Sequence, residues 1–504
     1  MFLGLYLLAF AALVIHAPAA VWQPGTMTFV FVLGWIGIWR WSWGLLHLCR
    51  SYRYRRAVFP RWRAQADRLA GDTETAAELL APEVFIVITS YRIPGDTSLA
   101  GFTAAIEEAA RYPRPVTIVA AMVEMAEQRL AKDLFRRLAP PPGVRLILVR
   151  GPAAGKRDGL ARALAAVARQ APPGNALVLL QDGDAVLPPG CLERTLPFFR
   201  LFPGLAALTT DEDCLVPGVG AGMRAWHRLR FAQRHLLMSS LALSRRLITL
   251  TGRMSIYRAA VATDPTFIEA IRSDYLDHWR FGRLRLLTGE DKSAAYWLLE
   301  RGLASLYVPD VQVLTIEQPP ARDLLRASTA LMLRWFGNML RASGRCLRLG
   351  PRRVGWFVWW CLLDQRISMW TPLIGPSAAI LLAVSVAPAF LYAYLLWVMG
   401  TRLLQSVALL SVRPTISGLY PPLLYYSQIY GALLKTWVLF RLDRQRWTRQ
   451  SIAWVPALTP AGRRLRAAAS LGLHLLALGA LVTAVAFGTG VLAPPSPAML
   501  AILR

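Results

Sequence analysis

The sequence predicts an α/β domain with a mostly parallel, Rossmann-like sheet inserted between transmembrane helices. Three observations carry this. Residues 1–39, 371–401, 414–434 and 467–503 contain no charged side chain, and about 20 consecutive apolar residues cross a bilayer core as a helix. Between the first two runs, short apolar strand-like segments alternate with helical patterns, the signature of βαβ units. Finally, basic clusters lie beside the apolar runs: 50–68 holds seven Arg and one Asp, 322–353 eight Arg and one Asp, and 441–466 seven Arg and one Asp. Basic segments next to spans mark the cytoplasmic side and favour anionic lipid headgroups.

Composition narrows the class. The 504 residues are 55% hydrophobic and 17% charged, with a mean hydropathy of +0.38, which excludes a wholly soluble or a disordered chain. The net charge of +27 raises nucleic acid as a partner, but the placement of the arginines assigns it to the membrane surface and lipids instead. The five cysteines are odd in number and form no CxxC pair, as expected in a reducing compartment. The six histidines form no HxxxH or HExxH pattern, so a zinc site has no support.

The elements follow in order. Residues 1–48 read as a transmembrane hairpin, Met1–Ile15 and Met27–Leu48, turned at His16–Gly25. A signal peptide ending near Ala17–Ala20 is the competing reading, and it lacks a basic leading region. Arg40 can snorkel toward headgroups. Residues 49–79 read as a basic cytoplasmic linker and 80–320 as the cytoplasmic α/β domain. Its strand candidates are Val84–Thr89, Val116–Ala120, Val144–Val149 and Ala176–Leu180; its helix candidates are Thr97–Ala110, Ala126–Leu138 and Lys156–Arg169. Residues 321–370 read as amphipathic interfacial helices, with Trp and Leu opposite Arg around Leu331–Asn338. Transmembrane helices follow over 371–440, a basic cytoplasmic loop over 441–467, and a last helix and tail over 468–504. Keeping both basic regions on one side requires an even number of crossings between them. One span near 374–400, Arg402 and Arg413 in an outside loop, and a return near 418–440 satisfy this. Five spans result, with six as the alternative.

Ligands of such sheets bind beyond the carboxyl ends of the strands, and the polar motifs fall there. Gln181-Asp182-Gly183-Asp184 follows a buried strand, and its two carboxylates are hard ligands suited to Mg²⁺ or Mn²⁺ held with substrate phosphates. Gly155-Lys156-Arg157-Asp158 opens a helix. Its spacing departs from a P-loop, yet Lys and Arg at a helix start suit a diphosphate as well as plain solvation. Gly289-Glu290-Asp291-Lys292 leads into an aromatic helix, where the acids either offset the dipole or include a general base. Thr251-Gly252-Arg253 precedes an alternating strand, where the glycine is either a turn or an opening for a sugar.

The ordered set Asp182-Gly183-Asp184, Thr251-Gly252-Arg253, Gly289-Glu290-Asp291 and Arg334-Trp335 resembles the processive family-2 glycosyltransferases, and more closely their mannuronan (alginate) synthase catalytic subunits. Asp364–Trp370 extends the likeness over most of the chain. The resemblance implies a GT-A glycosyltransferase fold and an inverting polymerisation of mannuronate from GDP-mannuronic acid into β-1,4-polymannuronate, which is passed across the bacterial inner membrane. It implies Asp291 as catalytic base with Glu290 beside it. It places Lys156, Arg157, Asp182, Thr89, Tyr91 and Glu124 around the nucleotide sugar, and Asp182 and Asp184 on a divalent metal, Mg²⁺ or Mn²⁺. Gly252, Arg253, Arg334 and Trp335 fall on the acceptor or channel. Arg253, Arg258 and Lys292 are candidates to pair the donor carboxylate. The implied partners are the growing chain, a PilZ-domain co-polymerase that binds cyclic-di-GMP, and a periplasmic export complex.

The sequence departs from the family at two points. Leu331 stands where the wider family has Gln before Arg-Trp, and Ala120–Glu124 lacks the usual acidic pair, leaving Glu124 to substitute. The alternatives are synthesis of another β-glycan from a UDP-sugar, and a non-enzymatic transporter or assembly scaffold.

Overall fold

The computed structural model describes residues 2–71, 81–447, 452–454 and 459–493. The chain divides into two compact units, one of Met1–Leu46, Asp364–Leu442 and Pro456–Arg504, the other of His47–Leu363 and Asp443–Val455.

The second unit is built on an eight-stranded sheet. In chain order its strands are β1 (Val84–Ser90), β2 (Val116–Met122), β3 (Val144–Arg150), β4 (Leu177–Asp182), β5 (Ala185–Val186), β6 (Leu205–Leu215), β7 (Met254–Arg258) and β10 (Ala304–Ile316), while β8 (Tyr275–His278) and β9 (Gly282–Arg285) form a separate hairpin. The order across the sheet is β3-β2-β1-β4-β7-β6-β10-β5. Strands β1 to β4 are parallel, β7 runs antiparallel to both β4 and β6, and β10 is parallel to β6. The sequence explains β1 and β2: both are mostly apolar runs buried on both faces, as a sheet covered on each side requires.

Helices α1 (Gly95–Arg111), α2 (Met125–Leu138) and α3 (Lys156–Ala168) connect these strands. Four more complete the frame: α4 (Ala221–Ala242), α5 (Pro265–Arg272), α6 (Glu290–Glu300) and α7 (Leu324–Arg348). Leu160, Leu164 and Val167 of α3 pack on Phe85, Val87 and Val119, and the same core continues through Tyr257 and Phe267 to Trp297. The Phe267 ring meets Trp297 edge-on at 5.2 Å and Tyr257 at 5.4 Å, contacts that add orientation to simple burial. This core fixes α3, β7 and α6 against one another, and each carries part of the site.

The unit is wider than the expected 80–320. The stretch taken as a linker is helical up to Gly71: Tyr54 is fully buried with its hydroxyl on the Tyr307 carbonyl at 2.5 Å, and Arg63 forks onto Asp310 at 2.7 and 2.8 Å. Part of the basic loop also belongs here, since Gln445 accepts from the Leu287 N–H at 3.0 Å and donates to the Arg285 carbonyl at 2.7 Å.

Among the described residues, three helices are long and apolar enough to cross a membrane, Trp356–Ser385, Ala389–Ser411 and Pro460–Gly488; a fourth results if the bent pair Pro24–Trp35 and Ile38–Leu69 is one span. Phe2–Ile15 is apolar but shorter. The region expected to hold one span near 374–400 is instead two helices, broken at Val386–Pro388. Proline cannot continue the preceding helix. As a result Arg402 is not in a loop: it lies inside Ala389–Ala408, buried, and donates to Gln405 at 2.7 Å. Arg40 does not simply snorkel either, because it contacts both oxygens of Asp364 at 2.5 and 2.7 Å.

Candidate active site

Four loops converge beyond the carboxyl end of β4, and the reversed direction of β7 explains how. Because β7 is antiparallel to β4, with Gln181 paired to Met254, its leading residues Thr251–Arg253 arrive beside Asp182. A pocket there is lined by Thr89 from β1, Lys156 from α3, Asp182 from β4, Thr251 and Gly252 before β7, and Glu290 and Asp291 from α6. Thus the structure brings together Thr89, Lys156, Asp182, Gly252, Glu290 and Asp291, which are separate in sequence.

Lys156 is the centre of the charge arrangement. Its Nζ is 2.6 Å from Asp182 Oδ1 and 2.5 Å from Glu290 Oε1. Burial opposes its charge, but the two carboxylates outweigh that and hold the ammonium above its usual range. For Glu290, burial pushes the carboxyl up, while Lys156 and Arg157 outweigh it and hold the group below the usual carboxylate range. Asp182 goes the other way: burial raises it, and Asp184 and Glu290 add to that against Lys156.

Two glycines make the arrangement possible. A Cβ on Gly252 would sit 2.7 Å from Lys156 Nζ and 3.1 Å from Asp182 Oδ2, so only a bare backbone passes here. Gly289 precedes α6 at φ +88°, a conformation glycine adopts without strain, and a Cβ there would lie 2.9 Å from Asn338 Cγ. Thr288 Oγ1 donates to Asn338 Oδ1 at 3.0 Å, so α7 fixes the turn that presents Glu290 and Asp291. Asp291 Oδ2 accepts from Thr249 Oγ1 at 2.9 Å, which orients its carboxylate.

Other expected residues lie elsewhere. Arg157 is buried away from the pocket lining. It donates to the carbonyls of Ala270, Ile271 and Thr288 and to Ser293 Oγ, between 2.8 and 3.3 Å. Its two terminal nitrogens tie α3, α5 and α6 together, while its buried Nε has no hydrogen-bond partner among the described residues. Tyr91 and Glu124 stand at the ends of β1 and β2, where Arg92 Nε reaches Glu124 at 3.3 Å and its guanidinium lies 5.1 Å from the Tyr91 ring centre.

Arg253 is held by Glu212 at 3.1 Å and by Glu317. Arg258 is at the opposite end of β7, donating to the Phe199, Pro203 and Leu205 carbonyls. Lys292 sits beside Asp291, and burial pushes its ammonium down. Arg334 is half-buried and close enough to Glu317 to lower its carboxyl. Trp335 stacks on Trp226. Leu331 is buried in the core, which suits an apolar residue where the family has Gln.

Sequence reasoning missed Thr249, Glu212, Glu317 and the role of Asn338. It also missed Glu127, buried at the end of β1 with its carboxylate on Ser90 Oγ and the Ile93 N–H, both at 3.1 Å. None of these lies in a local motif of its own; each is defined by a partner far away in the chain.

Among the described residues no three His, Cys, Asp or Glu side chains converge as a complete protein cage. Mg²⁺ and Mn²⁺ do not need one: one or two carboxylates plus substrate phosphates suffice. Asp184 and Glu290 both act on the Asp182 carboxylate, so hard anionic oxygens are close together there, a donor set that fits such an ion.

Residues 82–338 match the family described as "Glycosyltransferase like family 2". The chain is 43% identical over 445 residues to "Glycosyltransferase alg8" of Pseudomonas syringae pv. tomato, covering 88% of this chain and 89% of that one. It is 42% identical to "Glycosyltransferase alg8" of Azotobacter vinelandii over 451 residues, again 88% and 89% of the two chains. Among solved structures, a mannosyltransferase PcManGT from Pyrobaculum calidifontis in complex with GDP-Man and Mn²⁺ aligns with a TM-score of 0.42 at 15% identity, over 78% of this chain and 98% of that one.

Proposed function

Because the chain belongs to the family-2 glycosyltransferases, we propose that it polymerises mannuronate from GDP-mannuronic acid into β-1,4-polymannuronate, the precursor of alginate, and passes it across the membrane. The observation that carries the chemistry is the single pocket in which Lys156, Asp182, Glu290 and Asp291 meet under Gly252. The donor assignment rests on the named relatives and on the motif resemblance.

The reaction is one inverting displacement. Asp291, oriented by Thr249, takes the proton of the acceptor 4-hydroxyl. That oxygen then bonds to the anomeric carbon as the bond from the anomeric carbon to the GDP oxygen breaks. Lys156 stands where the diphosphate departs, its charge ensured by Asp182 and Glu290. Asp182 and Asp184 would hold a Mg²⁺ or Mn²⁺ ion, whose chemistry there would be neutralisation of the leaving diphosphate. Tyr91, Arg92 and Glu124 flank the expected nucleotide end of the sheet. Arg253 and Arg258 are engaged elsewhere, so Lys292, next to Asp291, is assigned the donor carboxylate.

The basic segments around 322–353 and 441–466 support a cytoplasmic catalytic unit at the inner membrane. The resemblance further assigns cyclic-di-GMP control to a separate PilZ-domain subunit and delivery to a periplasmic export complex.

The test uses inverted membrane vesicles containing the protein, a PilZ partner and cyclic-di-GMP. They are given GDP-mannuronate or UDP-glucose with Mg²⁺, while nucleotide release and lyase-sensitive polymer are measured. Polymer from GDP-mannuronate that vanishes in Asp291→Asn supports both donor and base. Turnover of UDP-glucose alone overturns the donor and leaves the mechanism.

A further inference from the structure

Near Arg253 stands a second cation, Arg230, that Glu317 acts on only at a distance, without a direct ion pair. Trp226 on α4 and Trp335 on α7 stack with centroids 5.9 Å apart and planes 17° from parallel. The Arg230 guanidinium covers them, 3.9 Å from the Trp335 ring centre and 5.1 Å from that of Trp226. Its neighbours are matched: Arg234 faces Glu212 at 3.5 Å, and Arg253 is shared by Glu212 and Glu317. Among the described residues Arg230 has no ion pair and no hydrogen bond, only the two rings.

Trp226 is fully buried, whereas Arg230 and Trp335 are half-buried. The rings hold the flat face of the guanidinium, which is how arginine stacks on aromatics. Its in-plane N–H donors remain, and that fork matches a carboxylate bidentately. Burial, with Arg253 and Arg234 adding to it and Glu317 opposing, pushes the Arg230 guanidinium down to about 9, a direction that a bound carboxylate would reverse. The site lies toward Arg253, which follows Gly252 at the pocket, and away from the β1–β3 side assigned to the nucleotide.

We propose that Arg230, clamped on the Trp226–Trp335 stack, binds a uronate carboxylate of the growing chain and so selects an acidic acceptor. This rests on the polymannuronate reading above.

The test measures binding to the full-length protein in lipid nanodiscs by calorimetry. The probes are a β-1,4-mannuronate hexamer and the same hexamer with its carboxyls reduced to alcohols. Arg230→Gln is expected to weaken the charged hexamer by about tenfold or more, the scale of a lost charged hydrogen-bonding pair. Arg230→Lys should recover part of that, and the reduced hexamer should bind all three proteins alike. Tryptophan emission reports whether the stack survives. Equal affinity of Arg230→Gln and wild type for the charged hexamer overturns the proposal, as does an equal loss for both hexamers, which would mean a packing role. If the wild type itself shows no preference for the charged hexamer, the polymannuronate reading falls and the proposal with it; the two failures are therefore distinct.

Discussion

Lys156 Nζ lies 2.6 Å from Asp182 Oδ1, so the helix that follows β3 and the turn that follows β4 are joined by an ion pair at the mouth of the site. Glu290 closes the arrangement from α6 at 2.5 Å. Removing one partner of a fully buried charge group costs about 3–5 kcal/mol, and the 24% exposure of the Lys156 and Asp182 side chains reduces that. Lys156→Met should therefore lose activity together with a smaller part of the stability. Lys156→Arg should keep most of the stability and still lose turnover, because a planar fork does not occupy the place of a compact ammonium. Thermal melting followed by tryptophan emission, paired with GDP release, separates the two.

Asp291→Asn should reduce polymer formation by about 10²–10⁴-fold, the range for a general base, with GDP binding retained. Thr249→Val removes only the hydrogen bond that orients the carboxylate, so its effect should be smaller, on the order of tenfold. If Thr249→Val proves as damaging as Asp291→Asn, orientation alone is not its role.

Gly252→Ala probes the close approach without changing charge. The added methyl meets Lys156 Nζ at 2.7 Å, and Lys156 cannot swing away without giving up its ion pairs with Asp182 and Glu290. Donor binding should weaken at least tenfold, with a fall in melting temperature no larger than that of Lys156→Met. Fluorescent-GDP displacement reads the first quantity. An alanine variant with unchanged donor affinity would disprove the crowding argument.

His227 predicts a dependence on pH. It is buried on α4 beside Trp226, and burial, with Arg230 and Arg253 adding to it, lowers its imidazole from 6.5 to about 4. Between those values the unfolded chain binds a proton that the folded one refuses, so stability falls as pH drops from 6.5 toward 4. The contribution is up to about 3 kcal/mol at one pKa unit per 1.36 kcal/mol. His227→Gln has no proton to refuse, so the difference between its melting temperatures at pH 7 and pH 5 should be smaller than in wild type.

Legibility in the sequence followed the locality of the signal. Strands β1, β2 and β4 were readable because burial on both faces makes each a mostly apolar run, and β3, half-exposed at the sheet edge, was readable from its central Leu146–Val149. Strand β10 was hidden by Pro309 and Asp310 and by the register shift between Val308 and Gln312. Strand β6 was hidden by its acidic end: Asp211 and Glu212 look like loop residues, yet both are buried, paired with His235 and Arg253 from other elements. The same rule governs the site. Lys156, Asp182, Gly252, Glu290 and Asp291 were readable because each sits in a compact motif at an element end. Arg157 sits in such a motif as well, but spacing cannot distinguish a donor aimed at a phosphate from one spent on the Ile271 carbonyl. In the membrane-spanning part, hydropathy gave the apolar stretch but not the break before Pro388.

The reversed strand β7 also divides the sheet into a chemical edge and a quiet edge, and that division matters to anyone modifying the protein. Loops that enter β4 and β6, and the one that leaves β7, open on the side opposite Lys156 and Asp291. Gly174, just before β4, is exposed with nothing within 4 Å of an added Cβ. An epitope tag or fluorophore belongs there, where exposed loops tolerate insertion. The same few residues placed between Leu250 and Arg253 would fill the pocket itself.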